Sequence, residues 1–232
     1  MKYKRVLVKL SGEALSGPAG FGINTKSLET VAAELKKVYS KKIQIALVVG
    51  GGNIWRGAGK EIERVTADYM GMLATVINAL ALRDILVKNG MPARVQSAIE
   101  ISKIAEPYVR DESIRHLEAG RIVILAAGTG NPFFTTDTTA ALRAAELKCD
   151  VLLKATQVDG VYSDDPKKNK KAKKFKSLTF DEAIERGLKV MDTAAFTLCR
   201  ESALSIIVFN FHKPGNLLNA VSGKPIGTTV YL

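Results

Sequence analysis

Histidine and cysteine are scarce in this chain, with two of each in 232 residues. Cys149 and Cys199 stand well apart from His116 and His212, so neither a disulfide framework nor the ligand spacing of a zinc site is present. Both thiols are expected as core filler. The same scarcity leaves no material for a Ser-His-Asp or Cys-His nucleophile set. Aromatic residues make up only 6% of the chain. None interleaves with its one dense run of positive charge, residues 167–174, where six lysines gather, and this argues against single-stranded nucleic acid as a partner. No apolar run approaches the ~20 residues of a membrane span; residues 43–49 and 122–127, the longest, are strand-sized, so no membrane partner is expected. The opening Met1, Lys2, Tyr3, Lys4 and Arg5 lead straight into Val6-Leu7-Val8. That start lacks the apolar stretch and small-residue cleavage site of a signal peptide, and a cytoplasmic location is expected.

What is present describes a globular enzyme. With 47% hydrophobic and 25% charged residues the chain can bury a large core. The net charge of +11 would suit nucleic acid, an anionic surface or small polyanionic substrates, but without the lysine run, which reads as a solvated loop, the chain is only mildly basic. Residues 5–10 and 43–49 read as buried strands, and Leu28, Val31, Ala32, Leu35 and Val38 recur between them at helical spacing. A long amphipathic helix is predicted over residues 68–88, stopped by Asn89-Gly90. Strands at 93–96, 121–127 and 151–154 then alternate with a helix closing at residues 116–119 and one over 137–148. Beyond a turn-rich, lysine-rich stretch (159–177) come helices from about residues 180 and 192 and strands at 206–209 and 228–232. Repeated alternation predicts an α/β fold, a three-layer αβα sandwich around an open, mostly parallel sheet. No linker separates independent domains.

Ligands of such sheets bind beyond the carboxyl ends of the strands, and four strand-end segments are unusual. Lys9-Leu10-Ser11-Gly12 places a lysine in a buried-strand pattern, which is costly unless it meets an anion or snorkels from the strand end. Gly50-Gly51-Gly52-Asn53-Ile54-Trp55-Arg56-Gly57 joins three glycines, whose backbone can approach an anion closely, to an arginine fork. It is neither a P-loop nor a dinucleotide fingerprint, because both lack their required residues here. In Gly128-Thr129-Gly130-Asn131-Pro132-Phe133-Phe134-Thr135-Thr136-Asp137, Thr135 or Thr136 can cap the following helix and aim its amides at an anion. Phe133 and Phe134 there either face a planar or sugar-like ligand or fill the space beneath the loop. The fourth segment is Lys154-Ala155-Thr156, followed by Val158-Asp159-Gly160-Val161-Tyr162 and Asp164-Asp165-Pro166. Together these segments form a cleft for more than one phosphate and point to transfer of a phosphoryl group between small molecules.

With Asp68-Tyr69-Met70-Gly71-Met72 and Lys189-Val190-Met191-Asp192-Thr193-Ala194-Ala195, these segments resemble those of the bacterial UMP kinases in the amino acid kinase superfamily. The resemblance runs from Lys9 to about Phe209. It implies the amino acid kinase fold in one domain, 1–232, with an acceptor lobe over about 1–153 and an ATP lobe over about 154–232. The implied reaction moves the γ-phosphoryl group of ATP to UMP, with Mg2+ held mainly by the ATP phosphates. Lys9, Asp137 and Lys154 are the implied catalytic residues, Asp137 holding the two lysines in position. Lys9, Leu10, Ser11, Gly12, Gly52, Arg56, Thr156, Tyr162 and Asp165 are implied at ATP. Gly51, Asp68, Thr129, Gly130, Asn131, Pro132, Phe133, Phe134, Thr135 and Thr136 are implied at UMP, with Asp68 on the ribose hydroxyls. The resemblance further implies a homohexamer and effector sites for GTP and UTP at Gly17, Pro18, Ala19, Gly20, Phe21 and Gly22. Asp192 is expected either as a helix cap or in a metal-linked role. Gln157 stands where relatives often carry lysine.

Overall fold

A computed structural model describes every residue except 57–60, 167 and 189. Gly57 of the arginine-bearing loop, Lys167 of the lysine run and Lys189 before Asp192 therefore lie outside the described residues.

Among the described residues nine strands, β1 (Arg5–Leu10), β2 (Gln44–Val49), β3 (Ala93–Ser97), β4 (Glu106–Pro107), β5 (Ile122–Ala126), β6 (Val151–Thr156), β7 (Ser177–Thr179), β8 (Ile206–Asn210) and β9 (Thr228–Tyr231), form one sheet. Their order is β4-β3-β5-β2-β1-β6-β8-β9-β7. Every pairing is parallel except β8 with β9. The helices are α1 (Glu13–Ser16), α2 (Thr25–Tyr39), α3 (Arg64–Lys88), α4 (Arg110–Glu118), α5 (Thr136–Glu146), α6 (Phe180–Glu185), α7 (Thr193–Glu201) and α8 (Asn216–Val221).

Strand alternation divides the core into two faces. Val6, Val8 and Leu10 pack with apolar residues of α2, α3 and α8, whereas Leu7 packs with α4, α5, α6 and α7. Three layers result, as the alternating pattern predicted. Lys9 has the parity of Leu7 and so leaves the sheet on the α5 face. On β6 the immediate neighbours of Lys154, Leu153 and Ala155, pack with the α2 side, and Leu152, two positions away, packs with the α5 side. Lys154 therefore also points toward α5. The alanines of α5, Ala140, Ala141 and Ala144, have no exposed surface; their small side chains let the helix sit close to β1 and bring its first turn over the strand ends. Phe180 and Phe196 close this layer with ring centroids 4.9 Å apart, edge to face, a geometry that adds about 0.5–1.5 kcal/mol beyond burial.

The predicted spans hold to within a few residues, with α3 starting earlier than expected because Glu63 accepts from the amides of Val65 and Thr66 as its N-cap. The short elements α1, β4, β7 and α8 were not expected; each is too brief to show a period. The amphipathic reading of α3 is corrected. Met72, Val76, Ala79 and Leu82 are buried, but Tyr69, Leu73 and Ile77 on the other side are apolar and exposed. Among the described residues α3 is the one helix long and apolar enough to cross a membrane by length and composition. It lies along β3, β5, β2 and α2, with one side buried inside the protein.

Candidate active site

The carboxyl ends of β1, β2, β5 and β6 meet, because these strands are neighbours in the order β5-β2-β1-β6. Lys9 and Lys154 are direct register partners across β1 and β6. Asp137, in the first turn of α5, receives both. Its Oδ2 accepts from Lys154 Nζ at 2.7 Å, and its Oδ1 lies 2.8 Å from Lys9 Nζ. The second contact is an ion pair by distance without an aligned hydrogen bond; at this separation the charge attraction governs. The three side chains are 13–16% exposed. Burial would push the Asp137 carboxyl up, but the ammonium groups of Lys9 and Lys154 reverse this and hold it below the ordinary carboxylate range. Burial also lowers Lys154, which Asp137 opposes and the charge of Lys9 reinforces. Lys154 Nζ makes a second hydrogen bond to Val190 O at 2.7 Å.

A cleft of about 620 Å3 opens on one side of this cluster. Gly51, Gly52, Asp68, Thr129, Asn131, Phe134, Thr135 and Thr136 line it, together with Arg64 and Thr75. Gly130, Pro132 and Phe133 of the same loop do not. Thr135 is the α5 N-cap, accepting from the amides of Asp137 and Thr138. Phe133 adopts φ +72°, a conformation costing about 1–3 kcal/mol for such a residue. Its amide donates to Asp68 Oδ2 at 2.8 Å, and Arg64 Nε donates to the same oxygen at 2.8 Å. Burial, the largest single influence, pushes the Asp68 carboxyl up, but the Arg64 and Phe133 hydrogen bonds together with the Arg64 charge outweigh it and hold the carboxyl below its ordinary value. Both phenylalanines are more than half exposed, so neither fills the space beneath the loop. Phe134 faces the cleft.

A second cleft, also about 620 Å3, lies beyond β6 and contains Lys154, Thr156, Tyr162 and Asp165 among its walls. Thr156 Oγ1 donates to Val158 O at 2.8 Å and accepts from Val158 N at 3.2 Å, which folds the following turn back on the strand end. Lys9, Leu10, Ser11 and Gly12 line neither cleft. The Leu10 side chain is fully buried, so only its backbone can meet a ligand. Arg56 Nε donates to Gly52 O at 3.0 Å, and its guanidinium pairs with Glu13, whose other oxygen accepts from Gln157 at 3.1 Å. Residues 17–22 lie at the surface outside both clefts, with Phe21 72% exposed. Asp192 is the α7 N-cap: it accepts from Ala195 N and from the hydroxyls of Thr135 and Thr138. These donors occupy both its oxygens, which fits the capping expectation and not a metal-linked one.

Among the described residues no three of His, Cys, Asp and Glu gather as a cation cage, and Asp137 spends both oxygens on ammonium groups. These residues do not by themselves form a cage for a resident cation. Glu13, Arg64 and Thr75 were not singled out from the sequence, since no motif marks them.

Comparison with known proteins places the chain in a family. The model of the amino acid kinase family matches residues 4–210. The structure of UMP kinase from Bacillus anthracis is 42% identical, with a TM-score of 0.97 over 100% of this chain and 97% of that one. UMP kinase from Ureaplasma parvum is 37% identical, with a TM-score of 0.94 over 100% of both chains. Uridylate kinase from Archaeoglobus fulgidus is 29% identical, with a TM-score of 0.75 over 97% of this chain and 99% of that one. On the span of that family match, and on full-length likeness well above the level at which only a fold is shared, the chain belongs to the amino acid kinase family, a family of phosphotransferases.

Proposed function

We propose that this chain is a UMP kinase, moving the γ-phosphoryl group of ATP to UMP to give UDP and ADP in pyrimidine nucleotide synthesis. The observation that carries this reading is the Lys9-Asp137-Lys154 cluster between two clefts. Asp137 directly follows Thr136 of the first cleft, and Lys154 lines the second. The likeness to UMP kinases at 42% and 37% identity supports UMP as the acceptor.

The acceptor phosphate needs no general base, because its second pKa is about 6 and an attacking oxygen already carries charge near neutrality. The difficulty is to bring two polyanions together and to stabilise charge spreading over the transferred group. Lys9 and Lys154 supply positive charge there, and Asp137 fixes their positions while offsetting only one of the two charges. Mg2+ carried by the ATP phosphates would supply further positive charge when bound. In the first cleft Asp68 suits the ribose hydroxyls, Phe134 suits the nucleoside face, and the amides at the start of α5 suit the phosphate. Thr156, Tyr162 and Asp165 wall the ATP side, with Gly52 and Arg56 between the nucleotides.

The same reading holds the chain as one kinase domain, with an acceptor lobe over about 1–153 and an ATP lobe over about 154–232. It takes residues 17–22 as the segment responsive to GTP and UTP, and the enzyme as a cytoplasmic homohexamer. The exposed Tyr69, Leu73 and Ile77 of α3 support burial of that face between copies. A coupled ADP-release assay over UMP, CMP, dUMP, aspartate and carbamate tests the assignment. UMP should be strongly preferred, and equal turnover of the other acceptors would refute it.

A further inference from the structure

Asn78 sits in the apolar middle of α3 and Asn53 just after the three glycines, and neither has any exposed surface. Their side chains bond reciprocally: Asn78 Nδ2 donates to Asn53 Oδ1 at 2.7 Å, and Asn53 Nδ2 to Asn78 Oδ1 at 3.0 Å. Each amide then spends its second N–H on a backbone carbonyl. Asn78 donates to Gly50 O at 2.8 Å, and Asn53 to Gly22 O at 2.7 Å. Carbonyls only accept, so these partners fix which end of each amide carries the nitrogen.

The Gly50 bond has a geometric consequence. The peptide joining Gly50 to Gly51 is trans, and in a trans peptide the C=O and N–H point in opposite directions. Turning Gly50 O inward to Asn78 therefore turns the Gly51 N–H outward. Gly51 and Gly52 line the first cleft, and neither amide donates to an acceptor among the described residues. The loop cannot recede, since the Gly51 backbone already presses on α3; a Cβ there would lie 2.8 Å from Gly71 O and 2.9 Å from the Ala74 methyl. At its other end the pair is joined to the neighbouring segment twice, because Gly22 N also donates to Asn53 O at 2.8 Å.

We propose that Asn53 and Asn78 are positioning residues: the pair turns the Gly51 amide toward the acceptor phosphate and ties that loop to the segment ending at Gly22. The inference rests on the kinase reading and adds a requirement to it. Neither asparagine touches a nucleotide; both act through the backbone of the glycine loop.

Two isosteric substitutions each remove one arm together with one of the reciprocal amide bonds. Asn78→Asp removes the donor to Gly50 O and to Asn53 Oδ1. Asn53→Asp removes the donor to Gly22 O and to Asn78 Oδ1 yet leaves the Asn78 donor to Gly50 O in place. Asn78→Asp should raise the KM for UMP by about tenfold, the factor that one lost hydrogen bond of ordinary strength carries. The KM for ATP should stay within about twofold, and Asn53→Asp should raise the UMP value less. If the buried carboxyl unfolds the chain, Asn78→Ala is read in the same way. On the wild-type enzyme, hydrogen exchange at residues 50–52 should slow when UMP is added. An unchanged UMP KM in folded Asn78 variants, a parallel rise in both KM values with a falling thermal midpoint, or unaltered exchange would each overturn the inference. A wild-type enzyme inactive with UMP would instead sink the kinase reading.

Discussion

Lys9 and Lys154 are register partners on adjacent parallel strands, and both reach one carboxylate, Asp137. Two ammonium groups this close repel one another, and one carboxylate offsets a single charge. The three contacting side chains carry one surplus positive charge in a mostly buried setting, which Asp192 moderates only at longer range, through Lys154, and a charge there interacts more strongly than in water. A phosphoryl group in transit would neutralise that surplus.

Replacing Lys9 by alanine tests this directly. If its contact strengthens as charge develops, Lys9→Ala should lower kcat by about 10²-fold or more while UMP affinity changes little. Steady-state kinetics with a UMP binding titration separates the two. A weakened affinity with kcat retained would reverse the assigned role.

Asp137→Asn leaves two buried lysines without their counter-charge, and removal of one partner from a buried ionic cluster costs about 3–5 kcal/mol. Thermal unfolding should show the loss. Inorganic phosphate should then stabilise Asp137→Asn more than wild type, because the anion takes the place of the carboxylate.

The pH dependence follows from the same cluster. The folded-state pKa of Asp137 is depressed, so the unfolded chain takes up that proton first as pH falls. The carboxylate's contribution is whole above its ordinary value of 3.8 and is lost as pH falls toward the folded value. Asp68 and Asp159 shift in the same direction. Thermal midpoints recorded through the acid range should fall less steeply for Asp137→Asn than for wild type. Lys154, whose value is also lowered, gives up its proton earlier than an ordinary lysine near 10.5. The alkaline limb of kcat should accordingly lie below that pH, and Lys154→Arg should shift it upward.

Asp68→Asn weakens the anchor of Phe133, whose left-handed backbone depends on that bond. The expected outcome is a higher KM for UMP, by about tenfold, with kcat at saturation within a few-fold of wild type. A fall in kcat alone would contradict it.

The α3 face predicts an assembly defect. Joint replacement of Leu73 and Ile77 by aspartate should shift the enzyme to a smaller species in sedimentation velocity while the far-UV spectrum is preserved. An unchanged mass would remove that face from the interface.

Much of the fold was legible because its strands are short apolar, often β-branched runs and helices such as α2 keep a 3.6-residue period. The strand-end loops were legible too, since glycine clusters, an arginine and two lysines at the ends of buried strands have few structural uses. Asn78 was not. A lone amide within an apolar helix is a visible anomaly, but nothing local says that it meets Asn53. The exposed side of α3 was hidden for the opposite reason: leucine, isoleucine and tyrosine look alike whether they face the core or another chain.

The sequence by itself determined the alternation of strands and helices, and with it the layers, the glycine loops and the lysines at strand ends, because each follows from local pattern. Only the tertiary structure decided that Lys9 and Lys154, 145 positions apart in the chain, stand side by side. That pairing depends on strand order and register, which are set by burial on both sheet faces at once. The same long-range packing brings α5 down on its alanines and places Asp137 between the two lysines.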